Sequence, residues 1–264
     1  MPEGPLTPDK RRIELDPDLI SLPRRADFVE LGLVSCFSFL RGASDAVDLV
    51  MAARGLGYDA LGIADVNSMA GVVRVHVEAQ TLKLRPVIGC RIETAEGLAF
   101  LVYPQDRAAY GRLCALISAG RMATLEGEWQ VKGECDISLR MLAEHAVSKG
   151  EGDVQLILLP PCDLAQEFTI EVESNVIPLH SAEAAKVPET LPFEAILPYL
   201  ARQLPTLRHL AASYLYSGDD IARIDRLDAL ARANGLSLLA TNDVHYHAPD
   251  RRPLQDVMTA IRHK

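Results

Sequence analysis

Three features of the sequence predict an α/β protein closed into a barrel. Apolar runs of strand length alternate with helical patterns, which implies parallel pairing, because each crossover must return the chain to the same edge. About seven such strands fall in one compact length, which suits a closed barrel better than two separate domains. An open doubly wound sheet would need a glycine-rich phosphate turn after its first strand, and "LRGAS" is too poor in glycine to make one.

The elements follow in order. "FVELGLV" (28–34) reads as a strand, and "SDAVDLVMAARGLGY" as a helix capped by Ser44 or Asp45 and closed by glycine. "DALGIAD" is a buried strand, "MAGVVRVHVEAQTLK" a helix, "RPVIGCRIE" and "GLAFLVYP" strands, and "DRAAYGRLCALISAG" a helix. "SLRMLAEHA" reads as a helix and "VQLILLP" as a strand, whereas 160–192 runs through prolines and charges as a long excursion. A helix near 193–203 and the strand "RHLAASYLY" follow. Ser217 and Asp220 spell a capping box ahead of "IARIDRLDALARA", which Asn234 and Gly235 close before "LSLLATNDVHYH". The last stretch, "PDRRPLQDVMTAIRHK", reads as a helix entered through Pro253. It lacks a stop signal, as in a fragment of something longer.

Composition bounds the function. At 264 residues with a formal net charge of -9, the chain repels a phosphate backbone as a whole, so any nucleic-acid contact is local. Five cysteines at wide spacing, without a C-x-x-C pair, exclude a disulfide framework and a structural zinc module, and fit a reduced cytoplasmic protein. Residues 1–27 form a proline-rich tail without the apolar core of a signal peptide, and no run has membrane-spanning length. The expected organisation is tail 1–27, barrel 28–248 and basic helix 249–264.

Residues with chemistry gather at strand ends, where a barrel places its site. Asp65 ends "LGIAD" and Asp243 ends "LLATND", although an Asp after a strand also caps the next turn. On a strand, Asp243, His245 and His247 would project to one side, as ligands for a divalent metal or with His245 as a base. His76, His145, His180 and His209 have no companions, and Cys162 at a strand end is packing unless a site surrounds it. Arg251, Arg252, Arg262, His263 and Lys264 form a basic cluster that complements a helix dipole or contacts phosphate or an acidic partner.

Together "ELGLVSCFSFLRGAS", "LGIADVNSMAGVVRVH", "YPQDRAAYGRLCALIS" and "LLATNDVHYHAPDRRPLQDVMTAIRHK" resemble the amino-terminal PHP (polymerase and histidinol phosphatase) domain of bacterial C-family DNA polymerases, above all their error-prone, damage-inducible members. The likeness covers roughly 28–264 and fades between about 120 and 200. It implies the PHP fold, a distorted seven-stranded TIM-like (β/α) barrel. It also implies a site of two or three metals for phosphoester hydrolysis, held by His-x-His, Asp-His, a Glu after Gly-Cys, and Asp-x-His. Here Gly32 and Val34 replace His-x-His, Val66 follows Asp65, and Arg91 stands where the Glu belongs. Asp65, Asp243 and His245 remain as residual metal positions, with Cys162 a weak further match. Arg91 is therefore expected to pair with Asp65 or Asp243 and occupy electrostatically the space of a cation.

The resemblance implies a segment without catalytic residues or a cofactor of its own, supporting a translesion polymerase that uses magnesium in a core outside this chain. Its implied partners are that core, DNA through the parent chain, the sliding clamp, an inactive Y-family-like protein and an accessory mutagenesis factor, with no membrane. The alternative is a phosphoesterase or exonuclease with a single zinc or manganese on Asp65, Asp243 and His245. A third reading makes 120–200 and the basic helix protein-docking surfaces.

Overall fold

A computed structural model describes residues 17–21, 23, 27–125, 128–129, 134–147, 152–173 and 186–263, so most of the tail and Lys264 lie outside the described residues. After a 3-10 turn over Pro17–Ser21, α1 (Ala46–Gly55) begins where Asp45 accepts the N–H of Val47. That bond satisfies an N–H the helix itself leaves unpaired, and it decides between the two expected caps. β1 (Ala60–Ile63) is wholly buried, α2 (Val72–Thr81) turns Val75 and Ala79 inward, and β2 (Arg85–Ile88) pairs with β1 in parallel. Leu33, Leu49, Ile63, Val75 and Leu82 close one core around this βαβ unit.

Next, β3 (Cys90–Glu93) and β4 (Ala99–Pro104) pair antiparallel, against the expectation of parallel strands. Only residues 94–98 join them, turned by hydrogen bonds from Thr94 N–H to the Leu98 carbonyl and from Gly97 N–H to the Thr94 carbonyl. A parallel crossover needs about a dozen residues or more. α3 (Arg107–Met122) starts at Asp106, which accepts the Ala109 N–H, and precedes a small hairpin of β5 (Thr124–Leu125) and β6 (Glu128–Trp129). α4 (Leu139–Ala146), capped by Ser138, leads to β7 (Val154–Leu159), antiparallel to β4.

The excursion expected over 160–192 contains a hairpin of β8 (Glu167–Glu173) and β9 (Lys186–Pro192), with 174–185 outside the described residues. Phe168, Ile170 and Val172 bury alternate positions of β8, but Pro188 and Pro192 obscure the pattern in β9, which an edge strand tolerates. α5 (Phe193–Gln203) sets Phe193 edge-on against Phe168. β10 (Leu207–Ala212), α6 (Asp220–Ala233) and β11 (Ser237–Ala240) form a second parallel unit. The expected capping box does not form: Asp219 takes the cap position, Ser217 donates to Asp219, and the Asp220 carboxylate accepts the N–H groups of Leu215 and Gly218. After a 3-10 turn at Pro249–Arg251, α7 (Arg252–Arg262) ends the described chain.

These strands make a five-stranded sheet in the order β11-β10-β7-β4-β3 and the separate pair β1-β2. A parallel bridge between Val66 and Arg91 joins the two sheets on one side. On the other, 28–34 meets β1 through the Glu30–Leu61 bridge and the segment after β11 through the bond from Val34 N–H to the Val244 carbonyl at 2.9 Å. The expected closed barrel is not formed as a continuous ladder among the described residues, and "FVELGLV" is not a regular strand. The cause is Glu30, buried to 1%, whose carboxylate accepts Gly32 N–H, Asn242 N–H and the Thr241 hydroxyl. Main-chain donors of Gly32 and Asn242 are thus satisfied by a side chain instead of a neighbouring strand.

Candidate functional site

Asp65 emerges just after β1 with no exposed surface. Its carboxylate accepts Ser35 N–H at 2.8 Å, Ser35 Oγ at 2.9 Å and Ser38 Oγ at 2.7 Å, and Ser38 Oγ in turn accepts Val66 N–H. Burial pushes the Asp65 carboxyl above the usual aspartate range, opposed by the bonds from Ser38, Ser35 and Gly71. Asp65 is thereby a knot that ties the 35–38 turn to the end of β1.

The strand geometry expected for Asp243, His245 and His247 breaks down, because β11 ends at Ala240 and Asp243 adopts a left-handed backbone with φ 48°. Without an extended chain, alternate side chains no longer share a face. His245 Nε2 stays 3.7 Å from Asp243 Oδ2, while its Nδ1 lies 3.2 Å from the Arg41 carbonyl. A carbonyl only accepts, so in that contact Nδ1 is the donor. His247 turns away, with Nδ1 2.8 Å from Ser44 Oγ.

Arg91, on β3, reaches the position that the remaining carboxylate would offer to a cation. Its Nη1 lies 2.8 Å from Asp243 Oδ1, the pairing expected from the sequence, whereas Asp65 is taken by its two serines. Burial alone would raise the Asp243 carboxyl, but the His245 contact and the Arg91 charge outweigh it and hold the group below its ordinary value. Beside this pair, Arg41 makes a bidentate bridge to Glu93 at 2.5 and 2.6 Å. Burial, with the nearby Arg41 and Arg91 guanidiniums, lowers the pKa of Arg262 on α7, opposed by the Glu93 carboxylate. Sequence reasoning did not single out Glu30, Ser35, Ser38, Arg41 or Glu93. Glu93 alone had a signal, since it sits two positions after Arg91 on one strand and therefore on the same face.

A cavity of about 370 Å³ opens beside this network, lined by Arg91, Asp243, Cys162, Phe168, Ser213 and Arg223. Cys162 thus lines the same cavity as Asp243, but among the described residues no three His, Cys, Asp or Glu side chains gather in a set able to hold a metal ion. Gly32, Val34 and Val66 offer no side-chain lone pair, and a guanidinium cannot lose its proton. A multinuclear metal centre does not fit these residues. Gly32 also marks a close approach: a Cβ there would meet Thr241 Oγ1 at 2.5 Å and the Asp243 Cα at 3.2 Å.

The architecture is that of a class of α/β proteins already seen in solved structures. It matches a protein of Bifidobacterium adolescentis described as a metal-dependent phosphoesterase, with TM-score 0.54 and 12% identity over 89% of this chain and 97% of that one. It also matches an amidohydrolase of Chromobacterium violaceum, with TM-score 0.51 and 12% identity over 83% and 87% of the two chains. The chain belongs to the PHP domain family, which matches residues 30–176. Among curated proteins it is 38% identical over 236 residues to the error-prone DNA polymerase of Caulobacter vibrioides and 39% over 245 residues to that of Bradyrhizobium diazoefficiens. These matches take in 89% and 90% of this chain but 18% of each polymerase, so the chain spans less than a fifth of those relatives. Among the described residues no helix is long and apolar enough to cross a membrane.

Proposed function

We propose that this chain is the PHP segment of an error-prone, translesion DNA polymerase and that it supports the polymerase without hydrolysing phosphoesters. The single observation that carries this reading is the 2.8 Å contact of Arg91 with Asp243, a fixed positive charge seated where the family pattern calls for a metal-binding carboxylate. Glu93 pairs with Arg41 and Asp243 with Arg91, so both carboxylates have counter-charges without an ion. The two sheets, bridged at Val66–Arg91 and approached by 28–34 on the other side, support a distorted TIM-like barrel ring as the frame. Residues Asp65, Asp243 and His245 are the relic of the metal positions.

In this reading the magnesium-dependent nucleotidyl transfer resides in the polymerase core. That core is the segment's first partner; the sliding clamp, an inactive Y-family-like protein and an accessory mutagenesis factor are partners of the whole cytoplasmic enzyme in SOS-induced DNA repair. The test is hydrolysis of a chromogenic phosphodiester and of single-stranded DNA by the purified chain with zinc, manganese or EDTA. No chelator-sensitive turnover is expected. Turnover that EDTA abolishes and Asp243→Ala removes would establish instead the single-metal phosphoesterase.

A further inference from the structure

α7 is amphipathic in the wrong direction for a free-standing domain. At 100° per residue, Gln255, Met258, Thr259 and Arg262 share one face, and these are its half-buried positions. Leu254, Val257 and Ile261 form a stripe about 120° round the helix from that face and are 44%, 56% and 51% exposed. No described residue of α7 is fully buried. A surface helix ordinarily turns its apolar stripe to the core, because burying each such side chain stabilises by about 1.5–3 kcal/mol. Here the inward face instead carries Arg262, close to Arg41 and Arg91, and Gln255, whose Oε1 is buried without a hydrogen-bond partner. Arg41 shares its turn with Phe39, which is 83% exposed.

We propose that the Leu254–Val257–Ile261 stripe is a docking ridge covered, in the full-length polymerase, by an apolar surface of the polymerase portion. The inference rests on the function proposed above and adds the surface through which it is exercised. Roughly four-fifths of the Caulobacter and Bradyrhizobium polymerases lies outside the part that this chain matches, so a large body of protein is there to cover the stripe. The covering surface is therefore apolar where it meets Leu254, Val257 and Ile261.

The experiment is carbene footprinting read by mass spectrometry, on the 264-residue chain and on the full-length polymerase that carries it. Labelling at Leu254, Val257 and Ile261 should fall about five-fold in the longer protein, as half-exposed side chains enter an interface core. Val73 on α2, 72% exposed, serves as the internal reference. Equal labelling of the stripe in both proteins overturns the proposal. So does protection that already grows with concentration in the short chain together with a dimer in sedimentation, which assigns the stripe to a second copy. The double variant Val257→Glu, Ile261→Glu should leave the unfolding midpoint of the short chain unchanged and hasten proteolysis at α7 in the full-length protein; an unchanged full-length pattern again overturns it. Chelator-sensitive hydrolysis by the short chain would sink the non-hydrolytic reading and leave this labelling contrast standing, so the two failures are distinguishable.

Discussion

Replacing Arg91 by alanine is the sharpest perturbation of the site. It removes the Nη1 bond to Asp243 Oδ1 and leaves His245 Nε2, 3.7 Å from Oδ2, beside that carboxylate. A hydrogen bond to a charged group contributes about 1.5–3 kcal/mol. Water reaches Asp243, whose side chain is 31% exposed, and replaces part of the loss, so the lower half of that range applies. For a chain of this size each kcal/mol moves the thermal midpoint by about 2–4 °C, so Arg91→Ala should melt roughly 3–8 °C below the parent at neutral pH. The sign with pH follows from the depressed carboxyl of Asp243. Its contribution is present above the unfolded value of about 3.9 and is lost as pH falls through the folded one, so the gap between parent and variant should shrink below about pH 4. Circular-dichroism melts from neutral to acid pH measure it, and Arg91→Ala in an Asp243→Asn background completes the cycle. A gap as large in acid as at neutral pH, or an undiminished cost of Arg91→Ala beside Asp243→Asn, would refute the ion pair as its source.

Other outcomes follow from the same contacts. Ser38→Ala removes the bonds to Asp65 and from Val66 N–H and should cost about 1–3 kcal/mol by chemical denaturation, since it leaves a buried acceptor under-satisfied. Glu30→Gln exchanges one of the two acceptor oxygens for a donor, set against either Gly32 N–H or Asn242 N–H; hydrogen exchange at 30–34 and 241–244 should accelerate well ahead of exchange in β7. Gly32→His, which restores a ligand of the family pattern, should destabilise by at least about 1–3 kcal/mol from overpacking, without raising zinc uptake measured by elemental analysis. Excess zinc or manganese should leave the melting midpoint of the parent unchanged, whereas a site bound at 100 times its Kd would add about 2.7 kcal/mol.

Local rules were legible where one residue decides the structure. Asp45, one of the two caps expected for α1, accepts the Val47 N–H, and the apolar runs of β1 and β7 are buried strands. The Arg91–Asp243 pair was legible because a cation replacing a ligand must find a counter-charge near the ligands that remain. Long-range choices were not. The β8–β9 hairpin hid behind prolines, and the reversal of β4 depended on a connection too short for a crossover rather than on the strands themselves. Asp243, His245 and His247 seemed to share one face only on the assumption of extended backbone, which the left-handed φ of Asp243 removes. Glu30, three residues into the folded segment, bonds with residues more than two hundred positions away, and no local pattern announces that.

The contacts at this site reinforce one another, which bears on whether a single substitution could build a metal centre there. Gly32 permits Thr241 and the Asp243 backbone to come closer than a side chain at position 32 allows. That approach places Asp243 where Arg91 reaches it, and Glu30 clamps it by holding Gly32 and Asn242 with one carboxylate. A carboxylate at 91 alone would stand against Asp243 and Glu93, with Arg41 already paired to Glu93, so like charges would gather without enough ligands to repay them through a bound ion. Restoring histidine at 32 alone would push apart the segments that position Asp243. Each single reversal therefore disturbs the ion-paired arrangement before it can assemble a metal site, and Arg91→Glu should be destabilised at neutral pH and recover stability as acid protonates the cluster. An Arg91→Glu protein as stable as the parent at pH 7 would show that the site tolerates an unpaired carboxylate and that the charge balance argued here does not govern it.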